Sequence, residues 1–325
     1  MELVGQSTAF VDLLRRVERV SRSEVTVLLE GEPGTGKDAI ARRIHRASAR
    51  RRGRFVVVDC RALPGGLIES ELFGHCRGAF TGATCSRAGR LERADGGTLY
   101  LDGVDELSRH AQSRFLRAID AKEFLPLGGH GPRRADFRLI AAASTDLGER
   151  VRRGLFREDL YYRLRVVELK LPPLRERRGD VPALARAFLK ALARSCGKPA
   201  CCFSPAAMRR LEKYSWPGNL HELRGLVEAA LAAAVGETVE ETDLPLKVRA
   251  PLPPAKSPTV EAERPEPTFR ERVTAYQRRL LLDALGRHGW DLARTARSLG
   301  LHRHQLRYLC SKLGIRRPRL PGDGR

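Results

Sequence analysis

A glycine-rich segment near the N-terminus has the residue types and spacing of a phosphate-binding loop. It follows the β-branched run Val25–Glu30 and precedes a helical pattern. Glycines let backbone N–H groups converge on phosphate oxygens, the helix N-terminus favours an anion, and the loop lysine reaches the terminal phosphates. The predicted nucleotide-binding residues are Gly31, Glu32, Pro33, Gly34, Thr35, Gly36 and Lys37.

Two acidic residues bear on how a metal ion would be held. Asp38 follows Lys37 and belongs to the predicted nucleotide site, at the position where most phosphate loops carry a Ser or Thr that binds Mg²⁺. Metal binding must then rely on another carboxylate or on waters. Asp102 ends the apolar run Thr98–Leu101, and an acid at the end of a buried parallel strand is the Walker B arrangement. We therefore expect Asp102 to bind Mg²⁺ and to be catalytic.

The segments around this loop alternate between apolar runs and helical patterns. Further apolar runs occur at Phe55–Val58 and Leu139–Ala142, and helical spacing at Ala39–Ala47 and Gln112–Ile119. Alternation of this kind predicts an α/β fold with a parallel sheet and crossover helices.

The pattern changes after Pro172-Pro173. Residues 180–235 show helical spacing only, which predicts a small helical subdomain without strands. The stretch 245–267 contains seven of the chain's 19 prolines and resembles a semi-rigid linker. The predicted organisation is an α/β subdomain over 1–170, a helical subdomain over 171–244, a Pro-rich linker over 245–268 and a C-terminal domain over 269–325.

Residues 288–313 have the pattern of a helix-turn-helix. Asp291 is a predicted N-cap and Gly300 supplies the tight turn. The second helix would bury Leu306 and Leu309 and leave a polar face for the major groove. Arginine suits guanine edges or phosphates, and glutamine suits adenine. The predicted DNA-binding residues are Arg303, His304, Gln305 and Arg307.

Charge supports a polyanionic partner. The 325 residues include 60 Lys and Arg against 39 Asp and Glu, a formal net charge of +21, which disfavours a small apolar ligand as the main partner. Residues 269–325 hold 14 of these cations and four of the acids, a net charge of +10. We expect the tail Arg316–Arg319 to touch phosphates without specificity. Seven cysteines without a CxxC pair, no signal-like N-terminus and no long apolar run predict a cytoplasmic protein with no membrane partner.

Several motifs together resemble one family. The chain is similar to the sigma-54-dependent transcriptional activators, bacterial enhancer-binding proteins with an AAA+ ATPase domain, over nearly all of residues 3–245. Residues 288–313 resemble the Fis-type DNA-binding domain that usually ends these activators. Besides the phosphate loop, the motifs that carry the resemblance are Val4–Ser7, Glu69–His75, Gly78–Ala83, Phe156–Leu164, Leu171–Arg177 and Trp216–Asn219.

The resemblance implies an ATP-dependent activator that remodels the closed promoter complex of sigma-54 RNA polymerase holoenzyme from an upstream site on double-stranded DNA. Its core would be an AAA+ P-loop fold with a helical lid. Leu127–Arg134 would form a second, pore-side loop. The implied sigma-54 contact is the surface loop composed of Gly78, Ala79, Phe80, Thr81, Gly82 and Ala83.

The resemblance also implies assembly. Arg157 and Arg163 match arginine fingers that reach the ATP of a neighbouring subunit, which implies a head-to-tail ring, hexameric in this family. Dimers would form through the first helix of the C-terminal domain, roughly 269–286. Only three residues precede Val4, so we expect no preceding regulatory domain and an activity that is constitutive, set by concentration or restrained by a separate protein.

Four parts of the hydrolysis machinery depart from the family pattern. Gly103 follows Asp102 where the family has the Glu that polarises the attacking water. Asp59 replaces the Asn that partners this Glu. The sensor Thr-Asn reads Ala143-Ser144, and the sensor Arg is His221, which we assign to the nucleotide site.

Two interpretations of these changes remain open. In the first, the protein binds ATP but hydrolyses it slowly or not at all, so nucleotide only sets the oligomeric state and Gly103→Glu should raise the rate. In the second, the displaced carboxylate Asp59, or with less support Asp105, orients the water. Asp59→Asn should then lower ATP turnover.

Overall fold

The computed structural model describes residues 3–62, 65–197, 202–234, 236–249, 281–313 and 315. It contains two compact units, Met1–Leu252 and Pro253–Arg325, each described here by itself. Most of the predicted linker 245–268, most of the predicted dimerisation helix 269–286 and the whole of the basic tail Arg316–Arg319 lie outside the described residues.

The strands in the described part of the chain are mostly short. They are β1 Val27–Glu30, β2 Phe55–Asp59, β3 Gly74–His75, β4 Arg87–Ala88, β5 Thr98–Asp102, β6 Glu123–Phe124, β7 Arg133–Arg134, β8 Arg138–Ala143, β9 Val167–Lys170, β10 Cys202–Phe203 and β11 Thr238–Val239.

The α-helices flank these strands and continue after them. They are α1 Thr8–Ser21, α2 Lys37–Arg46, α3 Gly65–Phe73, α4 Arg90–Arg93, α5 Arg109–Ala121, α6 Leu147–Arg152, α7 Glu158–Leu164, α8 Val181–Ser195, α9 Pro205–Lys213, α10 Asn219–Ala233, α11 Leu246–Arg249, α12 over 281–287, α13 Leu292–Ser298 and α14 Arg303–Lys312.

The first unit is organised around a five-stranded sheet in the order β2-β5-β8-β1-β9. All four neighbouring pairs are parallel, which confirms the predicted α/β fold. Side chains alternate between the faces of the sheet. Leu28 packs into the core on one face, whereas Val27 and Leu29 pack against α1 and α2 residues on the other. Both faces are therefore covered by helices, as a parallel sheet requires.

The helical subdomain of this unit has its own core around the fully buried Trp216, whose indole N–H donates to the carbonyl of Leu211 at 2.9 Å. The prediction that this region contains no strands is wrong, because β10 and β11 form a short parallel pair. Two-residue strands are too short to show any periodicity in the sequence, so pairing across the fold decides them.

The second unit contains α12, α13 and α14 in its described part. Leu281, Ala296 and Leu306 form its buried centre. Gly300 has φ +65° and closes the turn between α13 and α14, as predicted. No helix within the described ranges is both long and apolar enough to span a bilayer.

Candidate nucleotide site

The phosphate loop connects β1 to α2 at the carboxyl edge of the sheet. Lys37 begins α2 and is buried. Its ammonium donates to the carbonyls of Gly31 at 2.5 Å and Glu32 at 3.0 Å, and to Ser144 Oγ at 3.2 Å. Burial lowers the pKa of Lys37, while the charge of Asp102 raises it. The ammonium is thus held at the head of the loop by neutral oxygens that a phosphate can replace.

The helical subdomain packs directly on this loop. Gly34 has φ +79°, and a Cβ there would lie 2.4 Å from the carbonyl oxygen of Gly218. Leu220 N donates to the Gly34 carbonyl at 2.9 Å. Only glycine meets both requirements, the left-handed backbone and the close approach of the subdomain.

An ion pair fixes the other side of the loop. Arg175 donates through both terminal nitrogens to the Glu32 carboxylate, at 2.7 and 2.6 Å. Hydrogen bonding to Arg175 holds the pKa of Glu32 below its usual range. A bidentate pair specifies orientation as well as charge. Glu32 therefore has a structural role in the site: its ion pair with Arg175 orients the phosphate loop.

The N-terminal segment is tied to the start of the helical subdomain. The buried carboxylate of Asp180 accepts from Gln6 N at 2.6 Å, Ser7 N at 2.8 Å and Ser7 Oγ at 2.8 Å. The segment before α1 is thereby held beside the phosphate loop, where Leu3 and Val4 line the cavity.

The cavity has two chemically different sides. On one side lie the phosphate loop from Pro33 to Gly36, Lys37 and Asp38, together with Asp102 and His221. The other side is an apolar wall suited to a flat heterocycle. The residues of this wall are Leu3, Val4, Phe10, Ile40, Leu184, Phe188 and Leu220.

Two strand ends bring the predicted catalytic carboxylates together. β2 and β5 pair in register so that Asp59 lies directly opposite Asp102. Arg61 links them: its Nη2 donates to Asp102 Oδ2 at 2.7 Å, and its Nε to Asp59 Oδ1 at 3.3 Å. Asp102 Oδ1 is buried without a hydrogen-bond partner in the described structure. Burial raises the pKa of Asp102 above its ordinary value, and the charges of Arg61 and Lys37 oppose this rise.

A cation of this chain competes with the Mg²⁺ ion predicted at Asp102. A nucleotide-bound Mg²⁺ needs only one or two carboxylates besides phosphates and waters, so the number of acids is sufficient. However, Asp102 Oδ2 is bound to Arg61, and the carboxylate of Asp38 accepts from Arg42 Nε at 3.0 Å. Arg61 therefore holds one carboxylate oxygen of Asp102, whereas Oδ1 keeps no partner in the described structure.

Neither Asp59 nor Asp105, the two predicted water-orienting residues, lines the cavity, and the charge of Asp105 raises the pKa of Lys37 and of Arg61. The side chain of Asp105 is buried, and Oδ2 accepts from Thr145 Oγ1 at 2.8 Å. Its Oδ1 has no partner in the described structure. The register of the sheet places Asp59, and not Asp105, directly opposite Asp102.

The two predicted arginine fingers lie on or next to α7 and away from the chain's own cavity. Arg157 Nη2 pairs with Asp159 at 2.7 Å, and Arg163 Nε pairs with Asp120 at 2.8 Å. Neither lines the cavity around Lys37. The fold does not bring them to the phosphates of the same chain.

The two predicted contact loops lie next to each other. Gly78 and Gly82 have φ +80° and +99°, and a Cβ at either position would meet nothing within 4 Å. Phe80 is 41% exposed and packs edge-on against His75. A Cβ at Gly128 of the second loop would lie 2.8 Å from the Ala79 Cβ. The first loop is therefore an open turn with an exposed aromatic residue, and the second loop packs against it at Ala79.

In the second unit α14 presents a polar face. The predicted DNA-binding residues are all exposed: Arg303, His304, Gln305 and Arg307. Asp291 caps α13 by accepting from Ala293 N at 2.8 Å and Arg294 N at 3.1 Å, as predicted. Gln305 Oε1 accepts from His302 N at 3.0 Å. This amide therefore caps α14, a role that the sequence did not predict, and its oxygen must leave the cap to pair with adenine.

Three arginines of the cavity lining, Arg61, Arg177 and Arg224, were not predicted. Arg177 is buried, donates to the Thr35 carbonyl at 3.1 Å and lies 4.8 Å from the Phe10 ring centroid. Arg177 belongs to the motif Leu171–Arg177, which is a signal for it. Arg61 stands two residues after Asp59, and only the pairing of β2 with β5 reveals its role.

Comparisons with known proteins agree with this organisation. The profile of the Sigma-54 interaction domain matches residues 3–170, that of the AAA+ ATPase lid domain residues 175–260, and that of the Fis family of bacterial regulatory proteins residues 273–308. The transcriptional regulatory protein ZraR of Klebsiella oxytoca is 44% identical over 304 residues, which cover 94% of this chain and 67% of that protein.

Further relatives extend the comparison. The DNA-binding transcriptional regulator NtrC of Salmonella typhimurium is 39% identical over 330 residues, covering 97% of this chain and 70% of that protein. The crystal structure of NtrX from Brucella abortus in complex with ATP superposes with a TM-score of 0.72 at 33% identity, over 97% of this chain and 70% of that one. The chain belongs to the family of sigma-54-dependent transcriptional activators.

Proposed function

We propose that this protein binds ATP in the cavity between the α/β sheet and the helical subdomain and uses it to activate sigma-54 RNA polymerase at the closed promoter complex. The observation that carries the proposal is the two-sided cavity. Lys37 and the phosphate loop face the apolar wall formed by residues such as Phe10 and Phe188. A triphosphate suits one side and a purine the other. The NtrX structure with bound ATP, similar over nearly the whole chain, supports this ligand.

The partners follow from surfaces outside the cavity. The exposed loop around Phe80 is the proposed sigma-54 contact, since a protruding aromatic flanked by open glycines can bury apolar area on a partner. The exposed face of α14, with Arg303 and Arg307 one helical turn apart, is the proposed contact with the major groove of an upstream DNA site.

A homo-oligomeric ring is part of this proposal. Arg163 is exposed on α7, Arg157 is half-buried beside it, and neither lines the cavity of its own chain. Arginine fingers that act on phosphates must lie close to them. The placement supports action on the nucleotide of an adjacent subunit, and a site completed in that way is repeated head to tail around a closed ring.

A second candidate is a DNA-binding regulator that binds ATP but scarcely hydrolyses it, so that nucleotide only sets the oligomeric state. The observation that favours it is the pairing of both strand-end carboxylates. Asp59 accepts from Arg61 N at 3.0 Å and from its Nε, while Asp102 accepts from its Nη2. A carboxylate held by a guanidinium is a weak general base. The magnesium ion predicted at Asp102 enters no step in either candidate.

Phosphate release decides between the two. We would measure it for the wild type, Asp59→Asn and Lys37→Ala at protein concentrations below and above assembly, with sigma-54-dependent open-complex formation measured in parallel. Turnover that rises on assembly, falls with Asp59→Asn and accompanies open complexes supports the motor. Equal turnover by the wild type and Asp59→Asn contradicts a role for Asp59 in water activation. Turnover no higher than that of Lys37→Ala supports the second candidate.

A further inference from the structure

Arg61 lies between the two strand-end carboxylates of this site. It follows β2, and its side chain is 39% exposed and lines the cavity together with Lys37 and Asp102. Its Nη2 donates to Asp102 at 2.7 Å and its Nε to Asp59 at 3.3 Å. One guanidinium thus bridges the ends of two neighbouring strands.

Electrostatics explain why a cation belongs there. Asp59 and Asp102 are directly opposite each other in the sheet, and two adjacent carboxylates repel one another unless a positive charge lies between them. In a metal-dependent nucleotide site the divalent ion supplies that charge and also neutralises the phosphates. Here the guanidinium supplies it, on a chain that already has Asp38 where most phosphate loops place a Mg²⁺-binding hydroxyl.

The residue after Asp102 makes room for this arginine. A Cβ at Gly103 would lie 2.9 Å from the Cγ and 3.1 Å from the Cδ of Arg61, and the φ of Gly103 is +75°. The stem of Arg61 therefore passes over Gly103 and occupies the space that a side chain at position 103 would need. Arg61 thus pairs with Asp59 through its guanidinium and lies over Gly103 with its stem.

The guanidinium keeps donors for a ligand. Arginine has five N–H groups in a planar fork, and two of its nitrogens are used by Asp59 and Asp102. No partner of Nη1 is found among the described residues. Arginine binds phosphate oxygens well because its fork matches their spacing. Lys37 and Arg61 line the same cavity as Asp102, together with Arg177 and Arg224.

We propose that Arg61 takes the place of Mg²⁺ in this site, so that a nucleoside triphosphate binds through Lys37 and Arg61 without a divalent ion. The proposal rests on the proposed binding of ATP in this cavity. It specifies the form of the ligand, the metal-free triphosphate. The alternative is that Arg61 acts as a lock: it pairs with Asp102 in the nucleotide-free protein, and Mg²⁺–ATP displaces it from Asp102 on binding.

The test is equilibrium titration of the full-length protein with a fluorescent ATP analogue, in excess EDTA and in excess Mg²⁺. The wild type should bind in both, with dissociation constants within about threefold of each other, since the arginine supplies the charge. Arg61→Ala should lose about tenfold or more in EDTA and recover much of the loss in Mg²⁺. Arg61→Lys should retain part of the binding in EDTA. Arg19→Ala removes an exposed arginine of α1 that does not line the cavity, and it should behave as the wild type.

Two results would overturn the proposal. If the affinity of the wild type falls about tenfold or more in EDTA, the site depends on the metal whatever the variants do, and Arg61 is a lock. This outcome leaves the proposed ATP binding intact. If the wild type binds the analogue in neither condition, the ATP proposal and this one both fail.

Discussion

Asn219 of α10 donates from its side-chain amide to the carbonyl oxygen of Pro33 at 3.1 Å and so connects the helical subdomain to the phosphate loop. Its Oδ1 accepts from Leu174 N at 2.7 Å, and its Nδ2 also lies 3.2 Å from Glu32 Oε2. The residue is fully buried with φ +51°, a conformation that Asn tolerates better than most residues. The Asn219 side chain thereby links the phosphate loop, the segment at Leu174 and the helical subdomain.

Asn219→Ala should therefore lower both stability and nucleotide affinity. It leaves Leu174 N buried without its acceptor, which costs about 2 kcal/mol of unfolding free energy. It also frees the phosphate loop from the subdomain. Urea unfolding and nucleotide titration measure the two effects, with the exposed Glu228→Ala on the same helix as the control. Unchanged values for both quantities would contradict the connecting role of Asn219.

The Arg61–Gly103 contact changes what a substitution at position 103 should do. From the sequence, Gly103→Glu was expected to raise ATP turnover if hydrolysis is impaired. In the structure a Cβ there meets Arg61 at 2.9 Å on a backbone with φ +75°. We therefore expect Gly103→Glu alone to be destabilised by about 1–3 kcal/mol without faster turnover. Together with Arg61→Ala, it should turn ATP over faster than either single variant. A tenfold gain in ATP turnover by Gly103→Glu alone would show that the Arg61 side chain moves aside at little cost.

Phe80→Ala separates partner binding from folding. The side chain is 41% exposed and its ring packs against His75 alone among the described aromatic residues. Its removal should change the unfolding free energy by less than about 1 kcal/mol, as for other surface positions. Sigma-54-dependent transcription should fall by more than about tenfold, because interface aromatics carry much of the binding energy. Leu155→Ala, at another exposed apolar side chain (54%), is the control. Undiminished transcription by Phe80→Ala would show that Phe80 is not part of the proposed sigma-54 contact.

Arg307→Ala tests the polar face of α14. If Arg307 reads a guanine, the affinity for the selected DNA site falls by about 1–3 kcal/mol and base discrimination at one position relaxes. If it touches phosphate, all sequences weaken alike and the salt dependence decreases. Fluorescence anisotropy at several salt concentrations distinguishes these results. Arg297→Ala, on the exposed side of α13, serves as the comparison. If Arg307→Ala binds the DNA site as tightly as Arg297→Ala does, Arg307 is not part of the DNA contact.

Glu30, at the end of β1, should make stability depend on pH. Burial raises the pKa of Glu30 to about 7 from an ordinary value of 4.5, with the charge of Glu168 adding to the rise. Because the folded pKa is raised, the protonated carboxyl stabilises the fold fully below pH 4.5, and this contribution disappears as the pH rises through about 7. The loss amounts to about 2–3 kcal/mol.

Glu30→Gln should remove this dependence. Its unfolding free energy, measured in urea at pH 5 and pH 8, should exceed that of the wild type at pH 8 and match it more closely at pH 5. The exposed Glu18→Gln is the matched control. A constant difference between Glu30→Gln and the wild type over this range would show that Glu30 does not titrate there.

The amino-acid sequence alone determined the phosphate loop, the parallel α/β fold and the helix-turn-helix. Each depends on local features: a glycine pattern between a strand and a helix, apolar periodicity, and a capped turn at Asp291 and Gly300. The short strands β10 and β11 escaped prediction because their pairing partner is distant in the chain.

Only the tertiary structure decided how the predicted catalytic carboxylates relate to each other. Asp59, Arg61 and Asp102 come from two strands that are far apart in sequence and paired in register. The family resemblance implied that Gly103 stands where a catalytic glutamate is usual, and the structure adds that the Arg61 side chain lies against Gly103. Residue types are local information, but the position of a charge between two strands depends on the order and register of the sheet.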